Sequence, residues 1–448
     1  MNKILIILLT SSLLLGSVSA QQKWSLEDCI NYAWKNNLSI KSDALNTESQ
    51  QINFEKSKNQ RLPDLSAYAS SPLNYGLATN EKGVKTGGSF STAVSAGLSS
   101  SVTLFSGFQI KNSIAAQSFN WQASLEDLKK AKESMAVSIA SAYLQVLYNK
   151  ELQQIAVDQV ELSQSLVDRS ITMANYGKIP EGQVYEVKAQ LSKDQLNSTE
   201  SKSTLSMSLL DLSQLLDLKE WTNFDIVTPT IDVTNLNSTL QSAEDIYNIA
   251  VTTKSTIKAS EYRLKSSEKN LEVSKGAAYP RLSLSASYSN GYYPSSRSVD
   301  SLFVQHKIPF GTQLQNNYSA GLSLGLSIPI FNRFDTKNNI RLSKIDLENA
   351  KLNLENTKKT LYKEIQQAWF NASKATIQYT SSADVVMNSE EAFRFAEEKY
   401  NNGKATLYEY NQAKINLASA KSSQLQAKYN LLFCIKILDF YKGEPLKL

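Results

Sequence analysis

The chain has 448 residues, with 47 Lys and Arg against 42 Asp and Glu. Its formal net charge of +5 is spread thinly and forms no basic cluster, so the composition argues against a nucleic-acid-binding protein. One histidine, His306, and two cysteines, Cys29 and Cys434, leave no His and Cys spacing for a metal site.

The first twenty residues have the pattern of a secretory signal peptide. Lys3 gives the positive start, residues 4–15 are apolar, and Val18-Ser19-Ala20 forms a small-residue cleavage site. No later apolar run is long enough for a transmembrane helix. We therefore expect residues 1–20 to be removed, and the mature chain to be soluble or to span a membrane as strands. Cys29 and Cys434 are expected to be buried thiols, with a disulfide as the alternative.

The mature chain is a duplication, which predicts two domains of one plan at residues 21–235 and 236–448. The SLED motif at 25–28 recurs as SAED at 242–245, and Pro63 recurs as Pro280, both 217 residues later. After the strands, matching residues lie 226 apart, as for Gly177 and Gly403.

Each half opens with a predicted helix, at about 25–58 and 242–275, with Ser25 and Ser242 as N-caps. Alternating strands follow Pro63 and Pro280, joined by loops at about 71–91 and 290–317. Five aromatic residues at the predicted strand–loop borders suggest the girdle of a membrane barrel. They are Tyr75, Phe90, Tyr292, Tyr293 and Tyr318.

Within residues 318–334, positions 321–330 alternate without a fault between small and aliphatic side chains. The aliphatic set is Leu322, Leu324, Leu326, Ile328 and Ile330. A period of two predicts a strand, and an aliphatic face opposite Gly and Ser is typical of a strand that spans a membrane. We therefore expect the aliphatic set to face lipid. Residues 95–108 repeat the pattern in the first half.

Two stretches of 67 residues, 109–175 and 335–401, contain neither Gly nor Pro. Their apolar residues recur at three and four, which predicts long helices of about 100 Å packed as coiled coils. Returning helices are expected at about 183–217 and 404–440, and residues 218–241 join the two halves.

This ordered plan, occurring twice, resembles the outer-membrane efflux protein family, the TolC-like channel-tunnels. The resemblance rests on the SLED and SAED openings, the two prolines, VTLFSGF at 102–108, IPIFNRF at 328–334, and the turns NYGK at 175–178 and NNGK at 401–404. It implies an α+β membrane protein in which three chains, with four strands each, form a twelve-stranded β-barrel continued by a long α-helical coiled-coil barrel in the periplasm. The strand count alone excludes a monomeric barrel, because four strands cannot close. It does not decide among assemblies of two, three or four copies.

The function implied by the resemblance is a passive outer-membrane channel of a tripartite efflux or type I secretion system, without a cofactor. Implied partners are two further copies in a homotrimer, a periplasmic adaptor (membrane-fusion) protein, an inner-membrane RND or ABC pump, and outer-membrane lipid. The alternative is a secreted helical coiled-coil structural or adhesin protein without a pore. Enzyme chemistry is not expected, because no base and orienting partner can be proposed around His306.

The resemblance places the periplasmic tip at the two helix turns, and adaptor docking at Tyr176, Gly177, Lys178, Asn402, Gly403 and Lys404. Relatives carry acids six and nine residues after the second-half glycine, where this chain has Glu409 and Gln412, and an arginine two residues after it, where this chain has Ala405. The first-half counterparts are Gln183 and Glu186. A ring of carboxylates from Glu409 or Glu186 would select cations. Stabilisation of the N-terminus of the returning helix explains these two acids equally well.

Overall fold

The computed structural model describes residues 23–79, 85–229, 240–294, 297–299 and 305–447. The predicted signal peptide and part of the predicted joint lie outside these residues. The chain divides into two compact units, and each unit takes segments from both sequence repeats. Unit one comprises Met1–Asn46, Leu125–Ala259 and Glu355–Leu448, and unit two comprises Thr47–Ser124 and Ser260–Leu354.

Helices make up most of the described chain. In chain order they are α1 Leu26–Asn36, α2 Leu38–Asn59, α3 Gln109–Asn175, α4 Glu181–Leu215, α5 Ala243–Thr253, α6 Ser255–Gly276, α7 Phe310–Asn316, α8 Asp335–Asn401 and α9 Leu407–Lys442. The strands are β1 Ser66–Ser70, β2 Leu73–Thr79, β3 Lys85–Thr92, β4 Val94–Ser106, β5 Arg281–Tyr292, β6 Arg297–Val299, β7 Gln305–Lys307 and β8 Ser319–Ser327. No helix of the described segments has the length and apolarity needed to cross a membrane.

The opening helices begin where the sequence indicates but are each broken in two. Ser25 and Ser242 are N-caps whose side chains accept a hydrogen bond from the backbone N–H of Asp28 and Asp245. The single helices predicted at 25–58 and 242–275 are wrong, because Asn37 and Lys254 take extended backbone between α1 and α2 and between α5 and α6.

Both breaks are held by contacts that are distant in sequence. Asn37 accepts a hydrogen bond from the N–H of Ser39 at 2.9 Å and donates through Nδ2 to the carbonyl of Leu215 at 3.0 Å. The buried Lys254 ammonium donates to the carbonyl of Phe440 at 2.7 Å and lies 3.2 Å from the centroid of that ring. These partners stabilise helix breaks at which the sequence has neither Gly nor Pro.

The main core of unit one lies where α1, α3, α4 and α9 meet. Tyr143 is buried there and donates its hydroxyl to the carbonyls of Trp24 at 3.1 Å and Val227 at 2.7 Å. Trp24 forms a parallel bridge with Ile226, so the segment after α4 is tied to the segment that precedes α1. Cys29 is buried in this core, as expected, whereas Cys434 is half-buried rather than buried, and both are free thiols.

Unit two contains an antiparallel four-stranded sheet in the order β1-β4-β5-β8. Residues paired in register share a face of a sheet. Leu324 pairs with Leu284, which pairs with Val102, whereas Ser323 pairs with Ser285, which pairs with Ser101. One face of the sheet is therefore aliphatic across three strands, and the opposite face carries small polar side chains. β1 and β8 are the two edges.

Strand β8 is shorter than the alternation suggests. It ends at Ser327, so Ile328 and Ile330 lie beyond it, contrary to the prediction that both are strand residues. Pro329 explains the end of pairing, because it has no N–H to donate and it restricts the residue before it. In β4 a bulge between Thr103 and Phe105 inserts an extra residue, Leu104, before the strand ends.

The two predicted loops contain ordered structure. β2 and β3 form a hairpin in which Tyr75 pairs with Phe90, with ring centroids 4.8 Å apart. These two aromatics therefore lie within strands, and their placement at a strand–loop border is wrong. In the second half, β6 pairs with β7, and α7 is held by Gln313, which bonds both backbone groups of Tyr293.

Candidate functional site

The two helix turns have the same backbone geometry. Gly177 and Gly403 have φ of +68° and +69°, a left-handed conformation in which an L side chain would be strained. The N–H of Lys178 bonds the carbonyl of Met173 at 2.9 Å, and the N–H of Lys404 bonds that of Lys399 at 2.8 Å. These bonds form a Schellman motif at the end of α3 and of α8. The glycines are therefore required by the turn itself, whatever binds there.

Glu409 is part of a capping box at the start of α9. Its carboxylate accepts hydrogen bonds from the N–H of Thr406 at 2.7 Å and from the Thr406 hydroxyl at 3.0 Å. The Thr406 hydroxyl in turn accepts from the N–H of Glu409 at 3.2 Å. The hydrogen bonds from the Thr406 backbone and hydroxyl, with Lys399 nearby, lower the pKa of Glu409. Glu409 is thus held ionised at the surface by the helix end.

The first-half turn lacks this capping box. Pro180 is the N-cap of α4 and makes no side-chain cap bond, and Gln183 stands where the second half has Glu409. Gln183 is half-buried, and Glu186 is exposed. The two halves therefore differ at this end in charge and in the way the returning helix begins.

The structure brings the two turns together at one end of unit one. Arg169 on α3 donates a hydrogen bond to Asn401, the last residue of α8. A cluster next to the turns packs Leu166 and Val167 against Val187 on α4 and Leu407 and Tyr410 on α9. Because these side chains come from both repeats, the cluster holds the helix ends of the first half against those of the second half.

Only two of the four predicted gate residues line a common groove. Glu409 and Gln412 border a cavity of about 550 Å³ between α8 and α9, together with Tyr408 and Val385. Gln412 is exposed and donates to Asn416 at 3.0 Å. Gln183 and Glu186 do not line this groove.

Sequence reasoning missed a buried ionic cluster near this end. Lys414 on α9 is 3% exposed, and its ammonium lies 2.7 Å from the carboxylate of Asp194 on α4. Ser163 on α3 hydrogen-bonds both groups. The signal was present, because Leu407, Tyr410 and Lys414 follow the three-and-four spacing of a buried helix face. The cluster joins three helices from both repeats.

The predicted lipid-facing side chains are all exposed in the isolated chain. Leu322, Leu324 and Leu326 lie on the aliphatic face of β8, and Ile328 and Ile330 follow it. Every residue of β8 is exposed, including those on the Ser and Gly face, so the described chain covers neither face of this strand. An aliphatic face left uncovered indicates contact with another apolar surface.

The chain is similar in sequence to known export and efflux proteins. The chain is 23% identical over 356 residues to the Toxin and drug export protein A of Aggregatibacter actinomycetemcomitans, covering 79% of this chain and 74% of that protein. It is 22% identical over 426 residues to the Outer membrane efflux protein BepC of Brucella suis biovar 1 (strain 1330), covering 95% and 86%.

Among solved structures, the Campylobacter jejuni CmeC outer membrane channel is similar with a TM-score of 0.77 at 18% identity, covering 93% of this chain and 85% of that one. This likeness shows the TolC-like channel-tunnel fold. The sequence profile described as "Outer membrane efflux protein" matches residues 29–217 and 246–433, one match in each half. Since the two matches cover most of the chain, the protein belongs to the outer membrane efflux protein family, a family of channel proteins.

Proposed function

We propose that the protein is a passive outer-membrane channel-tunnel, assembled as a homotrimer, in a tripartite efflux or type I secretion system. The observation that carries the proposal is the open sheet β1-β4-β5-β8, with an aliphatic face, a Ser and Gly face and two free edges. In lipid, unpaired strand edges are too costly to persist, so copies must pair edge to edge. Three copies of four strands would close a twelve-stranded barrel.

In that barrel, Leu322, Leu324 and Leu326 would face lipid, and Ser323 and Gly325 would face the lumen. Ile328 and Ile330 would lie at the periplasmic border of the apolar layer, because they follow the strand. The lumen would then be lined by hydroxyl groups and bare backbone, which suits a water-filled pore with little chemical selectivity.

The helical part would extend into the periplasm, with the two turns at its far end. Tyr176 and Tyr408 are exposed aromatic residues beside the glycines, and exposed aromatics are typical anchors of protein interfaces. We propose that Tyr176, Gly177, Lys178, Asn402, Gly403 and Lys404 contact the periplasmic adaptor. Glu409, Gln412, Gln183 and Glu186 would lie at the constriction.

The transported substances are expected to be small molecules or polypeptides, as the name of the Aggregatibacter relative, a toxin and drug export protein, suggests. A passive tunnel needs energy from elsewhere, so we propose an RND or ABC pump in the inner membrane, joined through the adaptor. No catalytic step and no cofactor belong to the proposal.

Reconstitution of the full purified chain in planar lipid bilayers tests the proposal. We expect discrete ion-conductance steps, and a native mass of three chains in detergent. A water-soluble rod that produces no conductance and does not partition into the outer membrane would instead support a secreted coiled-coil structural or adhesin protein.

A further inference from the structure

Where β8 gives way to α8, unit two has a cleft with two chemically different sides. Its volume is about 480 Å³. The apolar side is formed by Ile330, Phe331 and Phe334, and the basic side by Lys337, Arg341 and Lys344. Among the residues that the structure describes, none that lines the cleft is acidic. An apolar surface directly beside three cations is the feature that the channel function does not explain.

The apolar side is presented outward by unusual backbone. Arg333 and Phe334 have φ of +55° and +62°, which is costly for residues other than glycine. Phe331 and Phe334 pack edge to face with centroids 5.5 Å apart, yet both remain exposed, and Ile330 is 95% exposed. The local structure therefore supports these side chains without burying them.

The basic side lies on one face of α8, because residues 337, 341 and 344 follow the spacing of four and three. Among the described residues, no carboxylate forms an ion pair with any of the three. Farther along the same helix, Lys351 and Lys359 pair with Glu348 at 3.3 Å and with Glu355 at 2.9 Å. Within the described part of the chain, the three cations at the cleft thus have no carboxylate partner, and the Lys337 ammonium lies 5.7 Å from the centroid of the Phe334 ring.

The first repeat provides an internal comparison. At an offset of 226 residues, Leu104, Phe105 and Phe108 reproduce the apolar side, and the two rings pack edge to face at 5.4 Å. The basic side is reproduced only in part, because Lys337 corresponds to Lys111 whereas Arg341 and Lys344 correspond to Ala115 and Ser118. The turn from strand to helix in the first repeat is therefore built without counterparts of Arg341 and Lys344, and the presence of these two cations in the second repeat needs another reason.

We propose that this cleft binds the headgroup of an anionic glycerophospholipid, one per chain, at the periplasmic surface of the outer membrane. Arg and Lys side chains bind phosphate oxygens through charge-assisted hydrogen bonds, and Arg can do so with two parallel bonds. The acyl chains would lie against Ile330 and Phe331, continuous with the aliphatic face of β8. Free phosphate would not use the apolar side, and a second copy of this basic face would repel it. The inference rests on the proposed insertion of the strands in a membrane.

Native mass spectrometry of the full chain in detergent, with added phosphatidylglycerol or phosphatidylcholine, tests this inference. We expect selective retention of phosphatidylglycerol, up to one per chain, that inorganic phosphate does not displace. The variant Lys337→Gln/Arg341→Gln/Lys344→Gln should bind phosphatidylglycerol at least about tenfold more weakly, since each cation near an anionic lipid surface contributes several-fold. The matched control Lys358→Gln/Lys363→Gln/Lys374→Gln removes the same charge farther along α8 and should bind as the parent does. Lys337→Arg/Lys344→Arg should also retain binding.

The inference would be overturned by equal retention of phosphatidylcholine, by equal loss in the two triple variants, or by displacement of the lipid by inorganic phosphate. A loss of trimer in the first triple variant alone would show instead that a neighbouring copy covers the cleft. Conductance in bilayers separates this inference from the proposed function. If the variant Lys337→Gln/Arg341→Gln/Lys344→Gln conducts normally and binds lipid like the parent, only the lipid site is disproved. If the parent chain never conducts, the proposed channel is disproved.

Discussion

Lys254 is a buried cation whose charge opposes folding. Burial lowers its pKa to about 8, with Lys129 acting in the same direction and Glu133 acting against it. An unfolded lysine keeps its proton until about pH 10.5. Between these values the unfolded chain binds more protons than the folded chain, so stability contributed by this group rises with pH. Between about pH 8 and pH 10.5, this group therefore changes the free energy of unfolding by about 3 kcal/mol.

We therefore expect Lys254→Met to change the pH dependence of stability. Methionine fills a similar volume without a charge but loses the hydrogen bond to the Phe440 carbonyl, so the stability of the variant relative to the parent should be highest at pH 7 and should fall progressively towards pH 10. Thermal unfolding followed by circular dichroism at several pH values measures this difference. Parallel stability curves for parent and variant would show that the Lys254 ammonium carries no penalty.

The pair Lys414–Asp194 should be sensitive to the loss of one partner. Lys414→Met leaves the Asp194 carboxylate buried without its cation, which typically costs about 3–5 kcal/mol. Replacing both, with Lys414→Met and Asp194→Leu, should recover much of that loss, because no uncompensated charge remains. Lys421→Met is the matched control, since Lys421 forms an exposed ion pair with Glu390 at 2.9 Å. This control should lower the free energy of unfolding by less than about 1 kcal/mol. Equal destabilisation by the two single variants would contradict the burial argument.

Different substitutions can separate the capping role of Glu409 from its proposed role at the constriction. Glu409→Gln removes the charge but keeps a side chain that can complete the capping box, so stability should change little. Thr406→Ala keeps the charge but removes the cap, which should cost about 1 kcal/mol. If Glu409 lines a constriction, Glu409→Gln weakens cation preference in single-channel recordings and Thr406→Ala does not. Unchanged ion selectivity in Glu409→Gln, in Glu186→Gln and in the double variant would assign both acids to helix-end stabilisation alone.

Among the strands, β8 offers a test of which face meets lipid. Leu324 lies mid-strand on the aliphatic face and Ser323 beside it on the small-residue face. Leu324→Arg should destabilise the inserted protein by about 2–4 kcal/mol, because a cation would then lie in the hydrocarbon layer. Ser323→Arg should leave stability nearly intact and alter conductance. Heat stability in detergent micelles and bilayer conductance measure the two effects, and a reversed pattern would exchange the faces.

For the assembled protein, we predict three chains and no folded, membrane-inserted monomer. A single sheet would expose the edges of β1 and β8 to lipid, and each unpaired backbone group there costs several kcal/mol, by the usual estimate of roughly 2–7. Native mass spectrometry after extraction from membranes checks the number of chains. A stable single-chain species that conducts ions would disprove the assembly.

Local signals accounted for the long helices. Gly and Pro are absent from residues 109–175 and 335–401, and α3 and α8 have those same limits. Their ends depend on neighbouring residues, on the Schellman glycines at one end and on the strand at the other, so a sequence window contains the necessary information. The face pattern of β8 is local in the same sense, since alternation depends only on chain geometry.

Contacts between distant segments decided the rest. The breaks at Asn37 and Lys254 depend on the carbonyls of Leu215 and Phe440, which are 178 and 186 residues away. The burial of Lys414 depends on Asp194, 220 residues earlier. The sequence by itself determined the duplicated plan, the long helices and the two faces of the strands, because periodicity and turn chemistry act over a few residues. Only the tertiary structure decided where the opening helices break and which polar groups are buried, because the free energy of those arrangements lies in partners brought together by folding.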